Sequence, residues 1–224
     1  MRTLAIGDIH GCHGALATLL KRLELRPDDK LIFLGDYIDR GVASRQVIET
    51  LLELKKSFSP VFLRGNHEVM MLESRNDSLK GNLWRSYGGL ETLESYGAGF
   101  SRRWVSAIPE EHWKFVESTE KFFETDTHIL VHACLDPDLD MDDQPGRLLY
   151  WEFLDQLKPH KSGKQIICGH NPQRSGKIKN LGFALCIDTA PATGGWLTAL
   201  DINAGNYWQA NERGQARRGA LETD

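Results

Sequence analysis

The sequence predicts an α/β fold in which short apolar strands alternate with amphipathic helices, and two observations predict it. Apolar runs of strand length occupy 3–7, 31–35 and 61–64. Segments with helical periodicity lie between them, at 14–25 and 44–56. Because apolar strands in a β-α-β-α-β order are typical of sheets that are buried on both sides, we expect helices on both faces of this sheet.

The two helices are predicted from the spacing of their apolar residues. Apolar positions at i, i+3, i+4 and i+7 fall on one face of a helix. In the first helix these are Leu16, Leu19, Leu20 and Leu23, and in the second they are Val47, Ile48, Leu51 and Leu52. Pro27 ends the first helix. Each helix therefore has one face that can pack on the sheet.

The rest of the chain is predicted to complete a single domain over 1–212. Residues 70–124 contain three tryptophans, glycine pairs and mixed charge, and we expect a helical insertion or a lid over one end of the sheet. The five later strands are expected at 128–133, 165–168, 183–188, 196–202 and 206–211, with a hairpin turn at 203–205. The residues from 213 to 224 are polar, and we expect a frayed tail.

The composition is that of a soluble globular protein. The 224 residues are 41% hydrophobic and 26% charged, with a net charge of -4. This charge gives no basic field that would attract nucleic acid or an anionic membrane. No apolar run approaches the roughly 20 residues that span a bilayer, and the start, MRTLAIGD, does not resemble a signal peptide. We therefore expect a cytoplasmic protein with no nucleic-acid or membrane partner, and we leave its oligomeric state open.

The cysteines agree with a cytoplasmic location. Cys12, Cys134, Cys168 and Cys186 form no C-x-x-C pair, which disfavours a zinc ribbon or a thioredoxin motif. We expect four free thiols. Small buried residues are the simpler interpretation. The alternative is redox sensing by the three that lie within two residues of candidate metal ligands, which are Cys12, Cys134 and Cys168.

Candidate metal ligands stand where five of the predicted strands end. They are Asp8, His10, Asp36, Asn66, His132 and His170. The carboxyl ends of strands in an open α/β sheet form the usual ligand crevice. Imidazole, carboxylate and amide groups without a thiolate suit manganese, iron or zinc better than magnesium or calcium. Six ligands fit two divalent ions that share one carboxylate, an arrangement that serves displacement at phosphorus. We therefore predict two divalent metal ions per chain, with manganese first and iron or zinc as alternatives.

Single residues of these types usually have simpler roles. An aspartate after a strand commonly belongs to a turn or a helix cap, and a lone histidine is usually structural. We interpret His13, His112, His128 and His160 as structural histidines. The metal hypothesis depends on the joint pattern, in which five strand ends each carry a ligand type.

The motifs around these residues resemble a known family. GDIHG at 7–11, GDYIDRG at 35–41 and GNHE at 65–68, followed by VHA and CGH, are similar to those of metal-dependent phosphoprotein phosphatases (PPP type), which are calcineurin-like metallophosphoesterases. The chain looks like the compact bacterial members. The resemblance covers 3 to about 210, and it implies a sandwich of two mixed sheets flanked by helices, with a helical insertion.

The resemblance also implies roles for the site residues. It assigns Asp8, His10 and Asp36 to the first metal, and Asp36, Asn66, His132 and His170 to the second, with Asp36 bridging. A hydroxide that bridges the metals would attack phosphorus in line. Arg40 and Asn66 would bind the phosphate. His67 would protonate the leaving alkoxide as the general acid, Asp39 would orient His67 and keep it cationic, and Glu68 would hold the loop.

The implied activity is metal-dependent hydrolysis of phosphomonoesters, with phosphoserine and phosphothreonine in proteins as the first substrates and small phosphoesters as others. One alternative is a dinucleoside polyphosphate (diadenosine tetraphosphate) hydrolase. An alternative of another class is a catalytically silent binding module, which the complete ligand set disfavours. The sequence departs from many relatives at Glu152, where they place a second phosphate-binding arginine; Arg147 is the nearest in sequence.

Overall fold

The computed structural model describes residues 1–221 and contains two mixed β-sheets. The strands are β1 (Thr3–Ile6), β2 (Lys30–Phe33), β3 (Val61–Phe62), β4 (Phe122–Glu124), β5 (His128–Val131), β6 (Gln165–Cys168), β7 (Lys179–Asn180), β8 (Ala184–Cys186), β9 (Leu197–Asp201), β10 (Asn206–Ala210) and β11 (Ala216–Ala220). The first sheet has the order β11-β10-β9-β1-β2-β3, and the second has the order β4-β5-β6-β8-β7. β1, β2 and β3 are parallel, as the β-α-β-α-β pattern predicts.

Seven α-helices accompany the sheets within the described residues, 1–221. They are α1 (His13–Leu23), α2 (Ser44–Leu54), α3 (Asn66–Ser74), α4 (Ser78–Trp84), α5 (Leu90–Ser95), α6 (Glu110–Glu117) and α7 (Gly146–Trp151). A kinked segment, Arg85–Gly89, joins α4 to α5, and Gly88 at the kink has a non-helical φ of 111°. Within residues 1–221, none of the helices has the length and apolar character needed to cross a bilayer.

The two sheets pack face to face, so the expectation of helices on both faces of the first sheet is wrong. Successive strand residues point to opposite faces. Leu4 and Ile6 of β1 pack with α1 and α2 on the outer face, whereas Ala5 points inward. There it shares a core with Leu130 and Ile167 of the second sheet. The two-sheet sandwich flanked by helices, which the family resemblance implies, is confirmed.

The segment 70–124 extends the helical layer on the outer face of the first sheet. Its three tryptophans form a buried row, with ring centroids 5.3 Å apart for Trp84 and Trp104 and 5.9 Å apart for Trp104 and Trp113. This row belongs to the same core as α1 and α2. The segment is not helical to its end, because β4 occupies its last three residues and pairs with β5.

The expectation of a frayed tail is wrong for most of the segment from 213 to 221. β11 pairs with β10 along its whole length, from Ala210 opposite Ala216 to Asn206 opposite Ala220. The pairing occupies backbone groups that β10 would otherwise expose at the sheet edge. The Arg217 side chain donates to Gln209 Oε1 at 2.6 Å and to the Gly176 carbonyl at 2.7 Å. Residues 222–224, the rest of the predicted tail, lie outside the described part of the chain.

Candidate active site

The six candidate metal ligands lie together at the carboxyl ends of strands from both sheets. Asn66 Oδ1 is 3.1 Å from His132 Nε2 and 3.1 Å from His170 Nδ1. The His170 amide donates to Asp8 Oδ2 at 2.9 Å. His10 Nε2 is 3.4 Å from Asp36 Oδ2. The ligands of the first sheet and the two histidines of the second therefore form one cluster.

Asp36 is the centre of this cluster. Two groups have ligand atoms within 4.8 Å of one another: His10, Asp36 and His67 form one, and Asp36, His132 and His170 form the other. Burial alone would raise the pKa of Asp36, but the positive charge that the surrounding imidazoles carry at low pH outweighs burial and holds the pKa below its usual range. Asp36 is therefore a carboxylate that faces two separate sets of donor atoms.

Backbone carbonyls fix the orientation of two of the imidazoles. His10 Nδ1 donates to the Ile38 carbonyl at 3.0 Å, and His132 Nδ1 donates to the Leu34 carbonyl at 2.9 Å. Because a carbonyl can only accept, Nε2 of each ring carries the lone pair, and it points toward Asp36. Burial lowers the pKa of both histidines, and burial together with His132 lowers the pKa of His170 to about 4. Neutral imidazoles of this kind can bind a metal.

An orphaned carboxylate oxygen shows that the cluster fits a cation. Asp8 Oδ1 is buried and has no hydrogen-bond donor. Burial, with the charges of Asp188 and Asp36, raises the pKa of Asp8 well above its usual value. A buried unpaired carboxylate is costly, and a bound cation would remove that cost. A Cβ at Gly169 would overlap Asp8 Oδ1, so glycine keeps this oxygen open.

Asp39 and His67 form a buried pair beside the cluster. His67 Nδ1 is 2.6 Å from Asp39 Oδ2, and His67 Nε2 is 3.9 Å from Asp36 Oδ2. Burial by itself lowers the pKa of His67, but the charges of Asp36 and Asp39 outweigh burial and raise the pKa. The raised pKa favours the cationic ring, which carries its second proton on Nε2, toward the cluster. Its contact with Asp39 occupies Nδ1 and leaves Nε2 facing the cluster.

Arg40 reaches the cluster from a strained turn. Its Nη1 lies 2.9 Å from His10 Nε2. Asp39 and Arg40 both have left-handed backbone conformations, with φ of 72° and 67°. Each such residue costs on the order of 1–3 kcal/mol, and strain of this kind is common at functional sites. The turn directs the Asp39 carboxylate to His67 and the Arg40 guanidinium to the cluster.

Glu68 holds the two main loops of the site together, which confirms the role given to it. Its Oε2 accepts from the amides of Asp36 at 2.8 Å and Gly65 at 3.0 Å, and its Oε1 accepts from the amide of Tyr37 at 2.9 Å. Burial and the charge of Asp36 raise the pKa of Glu68 to about 8, and the amide donors oppose that rise because they stabilise the carboxylate. The loop after β2 is thus fixed to the start of α3.

The second phosphate anchor is not formed by Arg147. Its Nη1 pairs with Glu152 Oε2 at 2.5 Å, and its side chain is 72% exposed. The neighbouring aromatic residue, Phe153, lies closer to the cluster, with its ring centroid 6.0 Å from that of His170. Among the described contacts, Arg40 is the arginine that reaches the candidate ligands.

Two residues of the site were missed in the sequence. Trp84 Nε1 donates to Asp39 Oδ2 at 2.7 Å, and Thr92 Oγ1 donates to Asp39 Oδ1 at 2.7 Å. A tryptophan and a threonine more than forty residues from Asp39 carry no local signal of such a contact.

The residues interpreted as structural have ordinary partners. His13 contacts Thr50, His112 contacts Tyr96, His128 contacts Thr127, and His160 contacts Leu139 and Ser162. All four cysteines are buried and free. Burial raises the pKa of Cys12 to about 12 and that of Cys134 to about 11. Few thiolates form at neutral pH, which disfavours redox sensing by these two residues.

Comparisons with known proteins agree with this geometry. A family model for calcineurin-like phosphoesterases matches residues 1–197. Serine/threonine-protein phosphatase 1 of Salmonella typhimurium is 40% identical over 88% of this chain and 90% of its own length. An asymmetrical bis(5'-nucleosyl)-tetraphosphatase of Geobacillus sp. is 28% identical over 89% of this chain and 90% of its own length.

A solved structure shows the shared fold. The cold-active protein-tyrosine phosphatase of a psychrophilic Shewanella sp. superposes with a TM-score of 0.70 at 15% identity. The match covers 97% of this chain and 80% of that one.

Proposed function

Because the chain belongs to the calcineurin-like phosphoesterase family, we propose that it hydrolyses phosphoserine and phosphothreonine in proteins with two bound divalent metal ions. In this proposal one ion is held by Asp8, His10 and Asp36, and the other by Asp36, Asn66, His132 and His170. Manganese suits these imidazole, carboxylate and amide ligands, and so do iron and zinc. A cytoplasmic location is part of the same proposal.

The observation that carries the proposal is the Asp39–His67 pair, with 2.6 Å between Oδ2 and Nδ1, beside the Asp36 cluster. A serine alkoxide is a poor leaving group and needs a proton as it departs. His67 has its proton on the nitrogen that faces the cluster, and Asp39 stabilises the charge of the ring. A polyphosphate leaving group depends less on such an acid, so this pair favours a monoester with an alkyl leaving group.

The other residues of the chain have matching roles. When bound, a pair of divalent ions activates water for attack on phosphorus and neutralises charge on the phosphoryl group. Arg40 binds and orients the phosphoryl oxygens with its planar guanidinium. Asn66, whose amide lies between His132 and His170, contributes a further polar contact to the phosphate. Glu68 holds Asp36 in place because its carboxyl group accepts a hydrogen bond from the backbone amide of Asp36.

Hydrolysis of diadenosine tetraphosphate is the second candidate. The similarity to the Geobacillus tetraphosphatase, at 28% identity over most of both chains, favours it. The Salmonella phosphatase is more similar, at 40% identity over comparable lengths. Both activities could use the same metal cluster, so a direct comparison of the two substrates is needed to distinguish them.

A substrate panel with two variants tests the proposal. We expect about two manganese ions per chain, loss of activity in a chelator, and a higher kcat/KM for a phosphoserine peptide than for diadenosine tetraphosphate. His132→Ala should lose one ion and nearly all activity. His67→Ala should keep both ions and lose about 10²–10⁴-fold on the peptide, with a smaller loss on 4-nitrophenyl phosphate. Full activity in strong chelator, or a preference for diadenosine tetraphosphate, would contradict the proposal.

A further inference from the structure

A segment of the helical insertion, residues 84–92, is bonded directly to the proposed acid pair. It begins at the end of α4, includes the kinked segment Arg85–Gly89 and ends in α5. Asp39 is completely buried, with 0% exposure. Trp84 Nε1 and His67 Nδ1 both lie within hydrogen-bond distance of Asp39 Oδ2, and Thr92 Oγ1 donates to Oδ1. Both carboxylate oxygens therefore have donors, and two of the three donors, Trp84 and Thr92, belong to the segment 84–92.

The same segment also supports the strained backbone of the turn. The Asp39 amide donates to Thr92 Oγ1 at 2.8 Å and to Ser44 Oγ at 3.1 Å. The Arg40 amide donates to the Gly88 carbonyl at 3.1 Å. Gly88 has φ of +111°, and a Cβ there would lie 2.6 Å from the Arg40 nitrogen. Only glycine allows the segment to approach the turn this closely.

The hydroxyl of Thr92 has a defined orientation in this network. Its hydrogen is directed to Asp39 Oδ1, so its oxygen accepts from the Asp39 amide and from Ser44, whose Oγ is 2.9 Å away. Every member of the network has a partner. A fully satisfied buried network of this kind holds its members in one arrangement.

We propose that Trp84 and Thr92 are positioning residues that fix the Asp39 carboxylate and thereby direct the Nε2 proton of His67 to the leaving group. The inference rests on the proposed function, in which His67 is the general acid. With either donor removed, the carboxylate can rotate about the Cβ–Cγ bond of Asp39, and His67 loses the partner that sets its ring orientation. The loss falls on proton donation, because within residues 1–221 neither side chain is hydrogen-bonded to a candidate metal ligand.

Trp104 provides the matched control. It lies in the same row of tryptophans, 5.3 Å from Trp84 between ring centroids, and it is 7% exposed. It has no contact with Asp39 among the described hydrogen bonds. Replacing Trp104 by phenylalanine therefore reports the effect of a smaller ring in this row without removing a donor to the carboxylate.

The experiment compares Trp84→Phe, Thr92→Val and Trp104→Phe on a phosphoserine peptide and on 4-nitrophenyl phosphate. We expect the first two variants to lower kcat on the peptide by about tenfold, since a misdirected acid loses part of its contribution, and on the aryl ester by less than about threefold. Trp104→Phe should change kcat by less than about twofold on each of the two substrates. Thr92→Ser, which keeps the hydroxyl, should restore most of the activity lost in Thr92→Val. Manganese content should stay unchanged in all four.

A double variant separates positioning from packing. If Trp84 acts through His67, Trp84→Phe has no further effect on the peptide in a His67→Ala background. Equal losses on both substrates, or losses that multiply in the double variant, would overturn the inference and leave the proposed function intact. If His67→Ala itself lowers the activity on both substrates equally, the assignment of His67 as the acid fails, and this inference fails with it.

Discussion

Replacing Glu68 by glutamine tests how strongly one buried carboxylate organises the site. The carboxylate accepts three backbone amides, from Asp36, Tyr37 and Gly65. A glutamine has one oxygen, which can keep the two amides that share Oε2, but its amide nitrogen then faces the donor of Tyr37. One buried donor left without a partner costs about 1–3 kcal/mol. Above about pH 8, where Glu68 is ionised, weakening two charge-assisted bonds to neutral ones adds about 1–2 kcal/mol in total.

We therefore expect Glu68→Gln to lower the free energy of unfolding by about 2–5 kcal/mol, which is a large part of a typical 5–15 kcal/mol. Urea denaturation at about pH 9, above the pKa of Glu68, measures this change when it is followed by circular dichroism. Glu73→Gln is the control, because Glu73 is 50% exposed and pairs with Lys80 at 3.1 Å. Exposed pairs of this kind contribute up to about 1 kcal/mol. A Glu68→Gln cost no greater than that of Glu73→Gln would refute the reasoning.

Two further predictions follow from side-chain contacts. Arg40→Lys should lower kcat/KM by more than about tenfold, because a lysine cannot make the bidentate phosphate contact. Arg147→Ala should change kcat/KM by less than about threefold. Steady-state kinetics with a phosphoserine peptide checks both variants, and similar losses in the two would contradict the assignment of Arg40. Burial raises the pKa of Cys12 to about 12, and a hydrogen bond with Cys186 together with burial raises the pKa of Cys168 well above its usual value, so the thiolate fraction is small at about pH 7.5. Iodoacetamide should then label these two cysteines in the unfolded protein and leave them largely unlabelled in the native one, as peptide mass spectrometry can measure.

The sequence predicted the parts of the fold that depend on local pattern. The spacing of Leu16, Leu19 and Leu23 follows from the helical period, and each of these residues is buried in α1. Asp8 and Asp36 stand directly after apolar strands, and parallel strands bring their carboxyl ends to one edge. The clustering of the ligands from the first sheet could therefore be predicted from local pattern, whereas His132 and His170 join them only because the second sheet packs on the first.

The remaining features depend on contacts between distant segments. Ala5 points to the inward face of β1, and an apolar residue there is expected whether a helix or a second sheet covers that face. The sequence therefore does not distinguish the two arrangements. Arg217 and Arg218 are polar, as in a disordered tail, and only the presence of β10 as a partner makes a strand of them. Trp84 and Thr92 reach Asp39 because α4 and α5 pack beside the turn, and no period or motif in the sequence specifies that approach.

The β11 strand also affects how the protein meets other chains. The other sheet edges within residues 1–221 are β3, β4 and β7, which have two, three and two residues. Edges this short offer little template for an added strand. β11 is longer, with five residues, and it places Arg217 and Arg218 in its middle. Charged side chains on an edge oppose pairing with a neighbouring chain, so the C-terminal strand protects the first sheet against edge-to-edge aggregation.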